Sequence, residues 1–121
     1  MKKEEILNEL KNNGGLTLKE GEPFSPSAGY QVGVKEVAKI GVNVEELETA
    51  LQAVEISPDE CLGFWVDGED LYIDKSEYVK DRKKAVALGA KHKQKSLYVW
   101  HKSDCLWIRR RWKHGKGALA V

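Results

Sequence analysis

Arg109, Arg110, Arg111, Lys113 and Lys116 lie beside two indoles, Trp107 and Trp112. Guanidinium and ammonium groups neutralise phosphates, and aromatic rings stack on unpaired bases. That run therefore has the chemistry of a contact with nucleic acid or with an acidic protein surface. Arg82, Lys83 and Lys84 extend the same basic face from an earlier segment. The plainer alternative is a solubilising end in which arginine stems lie along the indoles.

A second constellation has the opposite sign. From Glu36 to Asp74 there are eleven acidic residues against one base, Lys39, a balance of −10. From Lys75 to Val121 there are fourteen bases against three acids, a balance of +11. Glu45, Glu46, Glu48, Asp67, Glu69 and Asp70 form the acidic face. Carboxylates in such number mimic a phosphate backbone and suit a nucleic-acid-binding groove on another protein. The alternative is an ordinary solvated helix and hairpin. Halves of opposite charge mean either two functional faces or two segments that fold side by side and cancel.

Metal chemistry has a thinner basis. His101 and Cys105 are four residues apart, Cys61 lies on another candidate strand, and His92 and His114 are the remaining histidines. Thiolate and imidazole suit zinc, but a structural site takes four ligands and no Cys-x-x-Cys pair is present. Buried structural cysteines are the alternative, so the expectation is no cofactor, with zinc at Cys61, His101 and Cys105 as the exception. No phosphate-cradling glycine motif or nucleophile elbow occurs. Ser103 and Asp104 beside His101 belong to a turn. Asp70 and Asp74 lack a partner that would give either an acid or a base role. The chain is expected not to be an enzyme.

These residues need elements to position them. Ile6, Leu7 and Leu10 recur at helical spacing, and Gly14-Gly15 stops a helix over 2–13. Leu16 to Leu18 alternates as a short strand. A loop rich in proline and glycine follows, and Tyr30 to Val34 alternates again; Lys35 to Gly41 is ambiguous. Asn43 with Glu46 three residues on resembles a capping box for a helix over 44–55. Leu62, Phe64 and Val66, the Asp67-Gly68 turn and Leu71 to Ile73 predict a hairpin over 61–74. Asp81 caps a helix over 82–93 that turns Ala85, Leu88, Gly89 and His92 inward. Leu97 to Trp100 and Cys105 to Arg109 are two further strands. The order is α+β: an antiparallel sheet of about five or six strands with two or three helices packed on it.

With 121 residues, 41% hydrophobic and 32% charged, the sequence suits one globular domain over 1–111 and a flexible basic tail over 112–121. No secretory signal or membrane-length apolar run is evident. Two cysteines make no disulfide framework. A cytoplasmic setting without membrane contact is expected.

Two stretches carry a resemblance. One comprises Gly14-Gly15-Leu16-Thr17, Gly21, Pro26 and Gly29-Tyr30-Gln31-Val32. The other comprises Gly63-Phe64-Trp65-Val66-Asp67, Leu71-Tyr72-Ile73-Asp74, Asp81-Arg82, Ala85, Gly89, Gln94 and Val99-Trp100. Together they resemble small uncharacterised proteins of bacteriophages and mobile elements, over about residues 14–100. Arg109 to Arg111 replace the acidic or polar end usual there. The resemblance implies a setting: small, charge-polarised phage proteins that inhibit host defence, similar in size and style to anti-CRISPR proteins. A host defence protein or nuclease complex is then the expected partner. Direct nucleic-acid binding through the basic face and a small zinc-dependent enzyme are the alternatives.

Overall fold

The computed structural model describes residues 1–94 and 96–107, Trp107 by its backbone alone. Two compact units are formed. The first comprises Met1–Ser25 and Lys35–Ser76; the second is built on Pro26–Val34 and the chain from Glu77 onward.

In the first unit, helix α1 (Lys3–Asn13) buries Ile6, Leu7 and Leu10 as one stripe. The Glu5 carboxylate accepts the Lys2 backbone N–H at 2.8 Å, satisfying a donor that helix entry leaves open. Glu4 and Glu5 also match the positive end of the helix dipole. Gly14, at φ +78°, ends the helix and donates its N–H to the Leu10 carbonyl at 2.8 Å.

Strand β1 (Gly15–Lys19) follows, then β2 (Glu22–Pro23) and the later part of β3 (Tyr30–Gly41). Helix α2 (Val44–Ala53) begins at Asn43, whose Oδ1 accepts the Glu46 N–H at 2.9 Å. The Asn43 side-chain amide in turn donates to the Glu46 carboxylate. Replacing Asn43 by Ala should cost about 1 kcal/mol in a urea unfolding measurement, while Asn43→Ser keeps most of it. Equal stability of the Ala variant would show that the cap is idle.

Strands β4 (Glu60–Asp67) and β5 (Asp70–Val79) are joined by Gly68 and Glu69 alone, with Gly68 at φ +63°. A two-residue hairpin turn asks for positive φ, which glycine supplies without strain. The core of this unit gathers the α1 stripe with Leu18, Leu47, Leu62, Phe64, Leu71 and Ile73. Val37, Ala38 and Ile40 pack against it, so the ambiguous stretch after Val34 continues β3.

In the second unit, Val32, Ala85, Leu97 and Val99 form a separate core, with Tyr30, Val79, Val86, Leu88 and Leu106 against it. Asp81 caps helix α3 (Arg82–Lys91) by accepting the Lys84 N–H at 2.9 Å. Ala85 and Gly89 face inward, as their spacing predicts. Strand β6 (Ser96–Val99) and a 3-10 turn (Trp100–Lys102) lead to β7 (Asp104–Trp107). Leu97 stands opposite Leu106 in the β6–β7 pair. Gly29 lies at φ +99°, and a Cβ there would sit 2.5 Å from the Tyr78 hydroxyl oxygen. That hydroxyl donates to the Ala28 carbonyl.

The strand order is β2-β1-β4-β5-β3-β6-β7, an antiparallel sheet in an α+β fold with three helices. β3 and β5 each run through both units. Seven strands exceed the five or six expected because β2 is two residues long, too short for any alternation. It includes Pro23, which an edge strand tolerates because no ladder N–H is needed there. Helix α1 begins one residue later than predicted and α2 and α3 each end two residues earlier, while the limits at Asn13, Val44 and Arg82 stand as predicted. No helix among the described residues is long and apolar enough to cross a membrane.

Candidate functional site

The charge asymmetry of the sequence follows the units. The first unit's residues include seven bases and sixteen acids, a balance of −9. The second unit's sequence includes thirteen bases and three acids, a balance of +10.

All six acidic-face residues belong to the first unit. Glu45 and Glu46 stand on the first turn of α2, where carboxylates match the helix dipole, and Glu48 follows on the next turn. Asp67, Glu69 and Asp70 surround the β4–β5 turn. Gly68 and Glu69 line a shallow hollow with Val42, which leads into α2, so the turn and the α2 entry border one surface. Their chemical states differ. Glu46 is turned back to its cap. Glu48 pairs with Lys3 at 3.8 Å, and Asp70 with Lys39 at 3.8 Å. Glu45, Asp67 and Glu69 are exposed and have no cation at pairing distance among the described residues.

Arg82, Lys83 and Lys84 form the first turn of α3 and are exposed, with no acidic residue in that turn. Cations at the positive end of a helix dipole are locally unfavourable, by roughly 0.3–1 kcal/mol each. Helix stability is therefore not what these three supply. Trp107 is the last residue of β7, opposite Ser96. Arg109, Arg110, Arg111, Trp112 and Lys113 lie outside the described residues, as does the expected tail over 112–121.

Cys61 is buried in the first unit; Cys105 is exposed and His101 exposed in the second. Among the described residues no group of three or more His, Cys, Asp or Glu side chains is placed to hold a metal ion.

The fold brings together a further group. The β4–β5 turn sets Trp65 opposite Tyr72 and Gly63 opposite Asp74. Trp65 and Tyr72 stack with centroids 4.3 Å apart and planes 11° from parallel. Trp65 nevertheless remains 45% exposed. The Lys39 ammonium lies 5.6 Å from the Tyr72 ring centroid, a cation–π distance. Tyr72 and then Asp70 hold Lys39 protonated above the usual lysine range.

Asp74 fills the space that Gly63 leaves: a Cβ on Gly63 would lie 2.5 Å from Asp74 Oδ1. No cation pairs with this carboxyl among the described residues. Burial, with Glu36 adding repulsion, pushes its pKa up to about 7. On the other side of Trp65 the β1–β4 register places Gly15. A Cβ there would meet only the Phe64 carbonyl, at 3.5 Å. Period-two alternation puts Gly63, Trp65 and Asp67 on one face of β4, and Asp70, Tyr72 and Asp74 on the matching face of β5. That alternation and the Asp-Gly turn were the available signal.

Compared with known protein-family models, with curated proteins and with solved structures, the chain finds no match in any of the three.

Proposed function

We propose that this is a non-enzymatic binding protein that docks its acidic unit on a basic, nucleic-acid-binding surface of another protein. The supporting observation is the division of charge between the units, −9 against +10. Opposite charge steers encounter and fixes orientation more than it adds affinity. Exposed Glu45, Asp67 and Glu69, without lysine partners among the described residues, are the carboxylates best suited to take the place of phosphates. The resemblance to phage and mobile-element proteins suggests the setting: a host defence nuclease complex as partner, inhibited by occupation of its groove.

The double variant Glu45→Lys/Glu69→Lys should lose capture of a protein partner from host lysate while keeping its unfolding midpoint within about 1 kcal/mol of the native chain. The capture is run with and without nuclease. Undiminished capture by the variant would rule out the acidic surface.

Arg82, Lys83 and Lys84 favour a second function, direct nucleic-acid binding through the basic unit, with Arg109 to Arg111 as extension. It requires affinity that falls steeply with salt and capture that vanishes with nuclease. A flat salt dependence excludes it.

A further inference from the structure

The exposed sheet face of the first unit has the features of a side-chain receptor. Trp65 is covered on one ring face by Tyr72. Its other side looks toward β1, where the register presents Gly15 and no side chain. Gly15 has no positive φ and its Cβ site is uncrowded, so the backbone does not call for glycine there. Its absence of a side chain leaves a slot beside the indole. No Trp65 atom comes within 4 Å of a Cβ built on Gly15.

The surface around the Trp65–Tyr72 stack is acidic. Asp67 shares the Trp65 face of β4 toward the turn, with Asp70 across from it on β5. Asp74 stands opposite Gly63 on the other side, with Glu36 near it. Lys39 demonstrates the preference of this surface: its ammonium rests over the Tyr72 ring and pairs with Asp70. A flat aromatic face on an acidic surface attracts a planar cation, which stacks on the indole and turns its N–H donors toward Asp67, the next residue on that face of β4. A nucleobase would stack as well, but its phosphate would meet the carboxylates.

We infer that the slot between Trp65 and Gly15 receives an arginine side chain of a basic protein partner. This rests on the docking role proposed above and names its anchor. Buried indoles and arginines dominate binding energy at interfaces, and neighbouring contacts mainly exclude water.

The test follows the Trp65 indole N–H by NMR while a short polyarginine peptide is added at low salt. Polylysine of equal length, single-stranded DNA and a neutral oligosaccharide are the comparisons. Polyarginine should shift the Trp65 signal and bind more tightly than polylysine. Trp65→Ala and Gly15→Val should each weaken binding roughly tenfold or more, and Trp65→Phe should recover part of it. Unfolding midpoints are measured alongside, because Gly15→Val blocks the slot with a residue that strands favour. Binding of polyarginine by Trp65→Ala as strong as by the native chain overturns the assignment. So does a Trp65 shift produced by DNA or oligosaccharide but not by polyarginine. A Trp65 response to arginine that persists while Glu45→Lys/Glu69→Lys still captures the lysate partner supports the slot and removes the docking surface proposed above.

Discussion

Asp74→Asn should make the protein more stable at pH 8 and leave it nearly unchanged at pH 4. The Asp74 carboxyl has no cation beside it among the described residues and lies half-buried near Glu36, so its pKa rises from 3.8 to about 7. A carboxyl with a raised folded-state pKa binds more protons in the folded than in the unfolded state between those two values. Stability therefore falls as pH rises from about 4 to about 7 and is flat above that. A shift of this size, reduced for partial exposure, corresponds to on the order of 2–4 kcal/mol. Asparagine keeps the shape and removes the charge. The urea midpoint of the variant should exceed the native one at pH 8, and the fall between pH 4 and 7 should flatten. Parallel pH profiles for the two proteins would show that Asp74 ionises as freely as a surface carboxyl. Glu36→Gln should give a smaller effect of the same sign, because repulsion from Glu36 is the second cause after burial.

Phe64→Ala should cost about 3–5 kcal/mol, the usual range for deleting a buried aromatic side chain. Phe64 is 2% exposed and among the largest fully enclosed side chains, packed with Leu18, Leu62 and the α1 stripe. Its neighbour in sequence supplies the control. Trp65 points to the opposite face at 45% exposure, so Trp65→Ala removes a larger side chain at far less cost. A denaturation series that ranked the two variants equal would contradict the strand alternation on which both assignments rest. The same contrast makes Trp65→Ala usable as a binding probe, since the core is left intact.

Local chemistry made most of the elements legible. Asn43 with Glu46, Asp81 before α3, Gly14 after α1 and the Asp67-Gly68 turn each state a boundary within a few residues of sequence. The apolar spacings then assign Leu47, Ala85 and Gly89 to the interior. Three features depend on contacts distant in sequence and were not legible. Lys35 to Gly41 joins β3 because Val37, Ala38 and Ile40 meet the first core, which no local pattern announces. β2 exists because Leu18 and Lys19 have an open edge opposite Pro23 and Glu22. Asp74 is perturbed because β5 lies between β4 and β3, bringing Gly63 and Glu36 to it. The acidic residues were visible as charge, but not the fact that Glu46, Glu48 and Asp70 already have partners. The aromatic slot needed the position of β1 beside β4, since Gly15 acquires meaning only opposite Trp65.

The division of charge also governs how these molecules behave toward one another in solution. A net charge of +1 and a pI near 7.7 suggest a nearly neutral solute. Yet each molecule carries one strongly anionic and one strongly cationic unit, and weak overall charge gives little mutual repulsion near neutral pH. Dilute buffer then favours attraction between unlike units of different molecules, while moderate salt screens it over about 10 Å and keeps them apart. The turbidity of a concentrated stock should therefore fall on adding sodium chloride and rise on dialysis against water.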